Sequence, residues 1–170
     1  MDYHTDSGKK IFLSLGSNLG ERLQNLDRAS KRLEQVFKSK LTASSVYESP
    51  PWGYESNNAF LNQCVGLKSE LSPLEVLQVL QQVENEMGRK RKSNGAYCDR
   101  IIDIDLLYYE NEHIEEENLK IPHPKIYERK FVLKPLAEIA PNLLDPLKNK
   151  EIQDLLTLCN DQSDLILYKK

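Results

Sequence analysis

The chain has 170 residues, 39% hydrophobic and 29% charged, with a formal net charge of −3. That fits one globular domain, residues 1–170, long enough to bury a core; the acidic balance argues against a general nucleic-acid binder, and no apolar run approaches the roughly 18 residues of a membrane helix. Three widely spaced cysteines, Cys64, Cys98 and Cys159, form no C-x-x-C pair and indicate neither a zinc site nor a disulfide framework. A cytoplasmic monomer acting on small molecules is the expectation.

Residues 1–9 are polar, without the apolar stretch of a secretory leader, and read as a loose tail. Residues 10–15 form a short apolar strand that ends at the turn Gly16-Ser17-Asn18-Leu19-Gly20. A helix is predicted over 21–38, with Leu23, Leu26, Leu33 and Phe37 at helical spacing and Asn18 as a cap. Residues 41–47 read as a strand, 49–58 as a turn-rich loop with Pro50, Pro51, Trp52 and Gly53, and 59–67 as a strand. Ser72-Pro73-Leu74-Glu75 is a capping box that opens a helix ending near Met87, with Gly88 as its stop. Residues 89–100 are irregular and carry the basic run Arg89-Lys90-Arg91-Lys92. A solvated loop and an anion site for a small polyphosphate are both open for that run.

The next strand, residues 100–108, is the most informative segment. Ile102, Ile104, Leu106 and Tyr108 alternate on one face, and Asp103 and Asp105 share the other. The two carboxylates would stand roughly 6–7 Å apart. On the pair alone, a platform for divalent cations and a strand with a solvated polar face are both open. Residues 111–119 read as a polar connector, and Ile121-Pro122-His123-Pro124 excludes a helix interior or central strand. A helix over 128–139 bent or broken at Pro135, a short helix over 151–159 and an edge strand over 165–168 complete the chain. The order β-α-β-β-α-β fits a ferredoxin-like α+β fold: a mostly antiparallel sheet flanked by helices, with C-terminal additions.

The neighbours of the aspartates bear on the chemistry. Arg89, Arg91, Lys92 and Arg100 precede them, and His123 and Arg129 follow. Carboxylate-held Mg²⁺ with arginines around a triphosphate is the general arrangement for phosphoryl transfer. A long basic loop before the strand suits a lid over ATP. Phe60 and Asn62, two apart on a strand, face the same way. They could stack on and hydrogen-bond a flat heterocycle, or be a core Phe and an Asn bonded to backbone. The glycine turn at 16–20 lacks the G-x-x-x-x-G-K-[ST] of a P-loop.

With these pieces in order, the chain resembles the 6-hydroxymethyl-7,8-dihydropterin pyrophosphokinase family. The match runs from about Ile11 to Pro146. It is carried by Gly16-Ser17-Asn18, Ser44-Ser45-Val46-Tyr47-Glu48-Ser49-Pro50-Pro51, Phe60-Leu61-Asn62, Glu84-x-x-x-Gly88-Arg89, Arg100-x-x-Asp103-Ile104-Asp105, Ile121-Pro122-His123-Pro124 and Arg129-x-Phe131-Val132-Leu133-x-Pro135-Leu136. The resemblance implies transfer of the diphosphate of ATP to a pterin hydroxymethyl group, with two Mg²⁺ held by Asp103 and Asp105. It implies a catalytic role for Arg89 and Arg100. It assigns ATP to Glu84, Arg89, Arg91, Lys92, Arg100, Leu106, Lys120, His123 and Arg129. It assigns the pterin to Phe60 and Phe131 as a sandwich, with Asn62, Ser49, Pro50, Trp52 and Tyr97. The family often reads Trp-Gly-Pro-Arg before the aspartate strand, where this chain has Tyr97-Cys98-Asp99-Arg100. An extra negative charge next to the phosphates is therefore expected at Asp99. A silent ATP- or pterin-binding module of the same fold is the alternative function; a single-stranded RNA binder is disfavoured by charge and by the absence of the aromatic pattern such modules carry.

Overall fold

A computed structural model of the chain describes residues 7–89 and 96–169. The apolar run near the N-terminus becomes strand β1 (Lys9–Ser17), whose residues from Ile11 onward are buried. A strand without an alternating exposed face belongs in the middle of a sheet covered on both sides. Accordingly β1 lies between β4 (Phe60–Ser69) and β5 (Asp103–Tyr109), antiparallel to both. Outside β4 come β3 (Tyr47–Ser49) and, at the edge, β10 (Ile166–Leu167), while β2 (Thr42–Ala43) also pairs with β4. The sheet order is β10-β3-β4-β1-β5. With α1 (Arg22–Phe37) after β1 and α2 (Pro73–Glu86) after β4, this is the ferredoxin-like arrangement expected from the sequence.

The two faces carry separate cores. On one, α1 and α2 bring Leu26, Leu33, Val76 and Leu80 against Ile11, Leu13, Leu15 and Ile104. The capping box starts α2 as predicted: Ser72 Oγ accepts from the Glu75 amide, and the Glu75 carboxylate accepts from the Ser72 amide at 2.8 Å. On the other face, α3 (Lys130–Ile139) supplies Val132, Leu133 and Leu136. The later segment β8 (Leu144–Asp145), β9 (Lys150–Glu151) and α4 (Ile152–Leu158) adds Ile152 and Leu155, and all of these meet Phe12, Cys64, Leu107 and Tyr108.

Several expectations need correction. β1 runs through Gly16 and Ser17, so the turn starts at Asn18. Gly16 is glycine in an extended strand, and the φ of +65° that requires glycine is at Gly20. Asn18 does not cap α1, which has Glu21 at its N-cap without a side-chain cap; its amide is used elsewhere. Tyr108 does not share a face with Ile104 and Leu106. The pairing of β1 with β5 shifts between Phe12 and Leu13, leaving Leu107 as an extra residue. Such a bulge swaps the faces beyond it, so Tyr108 enters the second core and Tyr109 the first. The polar connector contains a small hairpin, β6 (Ile114–Glu115) with β7 (Lys120–Ile121). Helix α3 continues through Pro135, which is buried in the second core; packing of that apolar face offsets the missing amide proton.

Candidate active site

β1 alternates large and small residues on the face of the second core: Phe12, then Ser14 and Gly16. The sheet register sets Asp103 opposite Gly16 and Asp105 opposite Ser14 on one side. On the other side Gly16 is opposite Asn62 and Ser14 opposite Cys64. The small residues of β1 therefore form the floor of a trough. One bank carries the two carboxylates, and the other carries Asn62 and Phe60. A Cβ on Gly16 would stand 3.5 Å from the Phe60 ring and 3.8 Å from Asn62 Oδ1. Helix α3 starts only at Lys130, so its first turn, with Arg129 and Phe131, forms the end wall.

The trough is a narrow cleft lined by aromatic and polar side chains, with the two carboxylates at one bank. Phe60, Phe131, Trp52 and Tyr97 are its aromatic walls, and Ser49, Pro50 and Asn62 its polar and turn elements. Every residue assigned to the pterin by resemblance is thus brought together here. Asn62 realises both readings of its motif: its amide donates to Ser49 Oγ at 2.9 Å and the Tyr47 carbonyl at 3.2 Å, and it still lines the cleft. Ser14, Gly16 and Tyr54 were not assigned to the cleft from the sequence. The alternation of small with large residues in β1 was the available signal for the first two. Tyr54 packs edge-on against Phe60 at 6.5 Å and parallel to Tyr97 at 6.3 Å.

A second cleft opens on the far side of Asp105, lined by Leu106, Lys120, His123, Leu77, Asn118 and Pro124 among others. Three of the ATP assignments, Leu106, Lys120 and His123, meet here. Asp105 lines both clefts and marks their junction. Glu84 lines neither; it is 1% exposed, bonded to Arg89 and accepting from the Ile104 amide at 2.8 Å. It supports Arg89 and the aspartate strand from behind. Arg91 and Lys92 lie outside the described residues.

Arginines compensate the carboxylates. Asp103 receives Arg89 at 2.7 Å and Arg100 at 3.0 Å, one on each oxygen. Among the described residues, Asp105 pairs with Arg129, at 3.9 Å. Burial, then the neighbouring Asp103, pushes the Asp105 carboxyl up to about 7, with Arg129 opposing. Burial, then Arg129, lowers the His123 imidazole to about 4. Arg100 lies over Phe60 at 5.0 Å, and Arg129 over Trp52 at 4.6 Å. Nε of each arginine is buried without a hydrogen-bond partner among the described residues. A buried unpaired donor is costly, and two of them beside one cleft suit an anionic ligand.

The expected negative charge beside the phosphates is not realised at Asp99. Its carboxylate is turned to the 50–59 loop, accepting from Asn18 Nδ2, Tyr54 Oη, Ser56 Oγ and Asn58 Nδ2. Asp99 lines neither cleft.

The whole is a ferredoxin-like α+β fold whose open trough ends at a junction of two carboxylates and three arginines. The chain belongs to the 7,8-dihydro-6-hydroxymethylpterin-pyrophosphokinase family, whose pattern matches residues 12–141. Among its relatives is the 2-amino-4-hydroxy-6-hydroxymethyldihydropteridine pyrophosphokinase of Porphyromonas gingivalis, 45% identical over 133 residues, covering 77% of this chain and 90% of that protein. The Bacillus subtilis enzyme of that name is 46% identical over 129 residues, covering 75% of this chain and 76% of that protein. A crystal structure of HPPK-DHPS with substrates superposes with a TM-score of 0.69 at 14% identity, over 89% of this chain and 43% of that one. That last likeness is one of fold, and this chain spans less than half of the longer one.

Proposed function

We propose that this chain transfers the diphosphate of ATP to the hydroxymethyl group of 6-hydroxymethyl-7,8-dihydropterin, releasing AMP. The observation that carries the proposal is the meeting of two clefts at Asp105, one aromatic-walled and one next to Lys120 and His123. A two-substrate transfer needs both reactants held at one point in line. The pterin lies on the floor of Ser14 and Gly16, between Phe60 and Phe131, with Asn62 and Ser49 at its edge. ATP lies in the second cleft and extends its phosphates toward Arg89, Arg100 and Arg129.

Asp103 and Asp105 would hold Mg²⁺, and their chemistry fits. Two carboxylates on one strand face, 19% and 31% exposed, form a hard oxygen platform. Burial first, and then the like charge of Asp103, raises the Asp105 carboxyl, and a bound cation would oppose both. Bound there, two Mg²⁺ would supply charge neutralisation on the phosphates. The hydroxymethyl oxygen attacks the β-phosphorus; the new O–P bond forms as the bond to the α-phosphate oxygen breaks. AMP departs with that oxygen, and the hydroxyl proton passes to water, with Asp105 positioned to relay it. The arginines stabilise the charge that moves onto AMP.

Purified protein with ATP, Mg²⁺ and the hydroxymethyldihydropterin should yield AMP and the pterin diphosphate. Formation of ADP refutes the reaction class, and tight ATP binding without turnover supports the silent module instead.

A further inference from the structure

The loop that carries Pro50, Trp52 and Tyr54 has no helix or strand of its own between β3 and β4. Side-chain hydrogen bonds must therefore set its position, and they converge on Asp99. The Asp99 carboxylate accepts from Asn58 Nδ2 at 2.6 Å, Asn18 Nδ2 at 2.8 Å, Ser56 Oγ at 2.9 Å and Tyr54 Oη at 3.0 Å. Four donors on two oxygens fill most of what a carboxylate can accept, and each bond is charge-assisted. The donors come from the loop and from the turn after β1. Asp99 itself sits between Tyr97 and Arg100, just before the aspartate strand.

Asn18 completes the knot. It is 3% exposed, and its Oδ1 accepts from the Arg100 amide at 2.7 Å. Its own amide donates to the Arg100 carbonyl at 3.1 Å, and its Nδ2 also reaches the Asn58 carbonyl at 3.1 Å. The consequences appear in the cleft. Tyr54, held by its hydroxyl, stacks on Tyr97 and packs on Phe60, and Arg100 is held over Phe60 and against Asp103.

We propose that Asp99 is a positioning residue for the pterin. It fastens the 50–59 loop to the segment that delivers Tyr97, so that the aromatic walls of the pterin cleft are placed as one unit. Asp99 touches neither cleft; it acts through Tyr54 and Asn18. The inference rests on the pterin assignment above.

The test measures direct binding of the hydroxymethylpterin, in the presence of a non-hydrolysable ATP analogue and Mg²⁺, and separately binding of the analogue alone. Asp99→Ala should raise the Kd for the pterin at least tenfold while that for the nucleotide changes less than threefold. Asn58→Ala and Ser56→Ala, which each remove one donor without touching the cleft, should raise the pterin Kd by a smaller factor. In the double variant Asp99→Ala/Asn58→Ala the losses should not multiply, because both remove the same bond. Asp99→Asn should fall between wild type and Asp99→Ala: its oxygen still accepts from Asn18 and Tyr54, but its amide meets the Asn58 donor. Pterin and nucleotide affinities that fall by one common factor, or a pterin Kd unchanged in all these variants, overturn the inference and leave the proposed function standing. A wild-type protein that binds no pterin overturns both.

Discussion

The balance of charge at the cleft junction makes Asp105→Asn a sharp test. In the ligand-free protein burial, then Asp103, pushes the Asp105 carboxyl from 3.8 up to about 7. At about 1.36 kcal/mol per pH unit, that displacement bounds the cost of ionising it in the fold at ~4 kcal/mol. The side chain keeps 31% of its surface in water, and solvent screening lowers the bound to about 1–2 kcal/mol. The folded pKa lies above the unfolded one. The folded state therefore holds the proton longer, and the contribution of Asp105 to stability falls as pH rises from about 4 through 7. Asn is neutral and of the same shape, so Asp105→Asn should be more stable than wild type by about 1–2 kcal/mol at pH 8. The advantage should disappear near pH 4. Urea unfolding at both pH values, without divalent cations, measures this. The same variant should lose Mg²⁺-induced stabilisation and about 10²- to 10³-fold of turnover, the scale of a lost transition-state charge contact. A variant less stable than wild type at pH 8 would refute the electrostatic reasoning, whatever its activity.

Asp103→Ala should abolish turnover and also destabilise the protein by about 1–3 kcal/mol, since half-buried Arg89 and Arg100 lose the carboxylate that they share; calorimetry checks this. Gly16→Val should fold yet bind pterin at least tenfold more weakly, because its side chain fills the floor of the trough beside Phe60; Tm and a pterin titration separate the two effects. Phe131→Ala should raise the pterin Kd about 2- to 13-fold, equivalent to the ~0.5–1.5 kcal/mol of one ring contact, with ATP affinity unaffected. His123, lowered to about 4 by burial and Arg129, takes up its proton more readily when unfolded. The stability of wild type relative to His123→Gln should therefore rise with pH between about 4 and 6.5 and stay constant above that window.

Local patterns were sufficient for much of this. The capping box, the helical spacing over α1 and the apolar runs of β1 and β4 act over a few residues, so propensity and periodicity reveal them. The same holds for Asp103 and Asp105, which are adjacent on one strand. The bulge at Leu107 was hidden because pairing register depends on two strands far apart in sequence. It moved Tyr108 to the opposite core. Pro135 does not break α3 for a related reason: its local penalty is visible in sequence, and the core that offsets it is not.

The sequence by itself determined the type of the main elements around the core and the face on which the two aspartates stand. Through ordered motifs it also determined the family. The tertiary structure decided what those carboxylates face. Ser14 and Gly16 become a floor only because β1 is threaded between β4 and β5, and Asp105 becomes a junction only because two clefts open on its two sides. Asp99 shows the limit most plainly. Its charge was visible next to Arg100, but whether it would face a phosphate or a loop depended on four donors supplied by residues 41 to 81 positions away. Charge is a property of the residue; the direction in which it is spent is fixed by the donors that the fold brings within hydrogen-bond range.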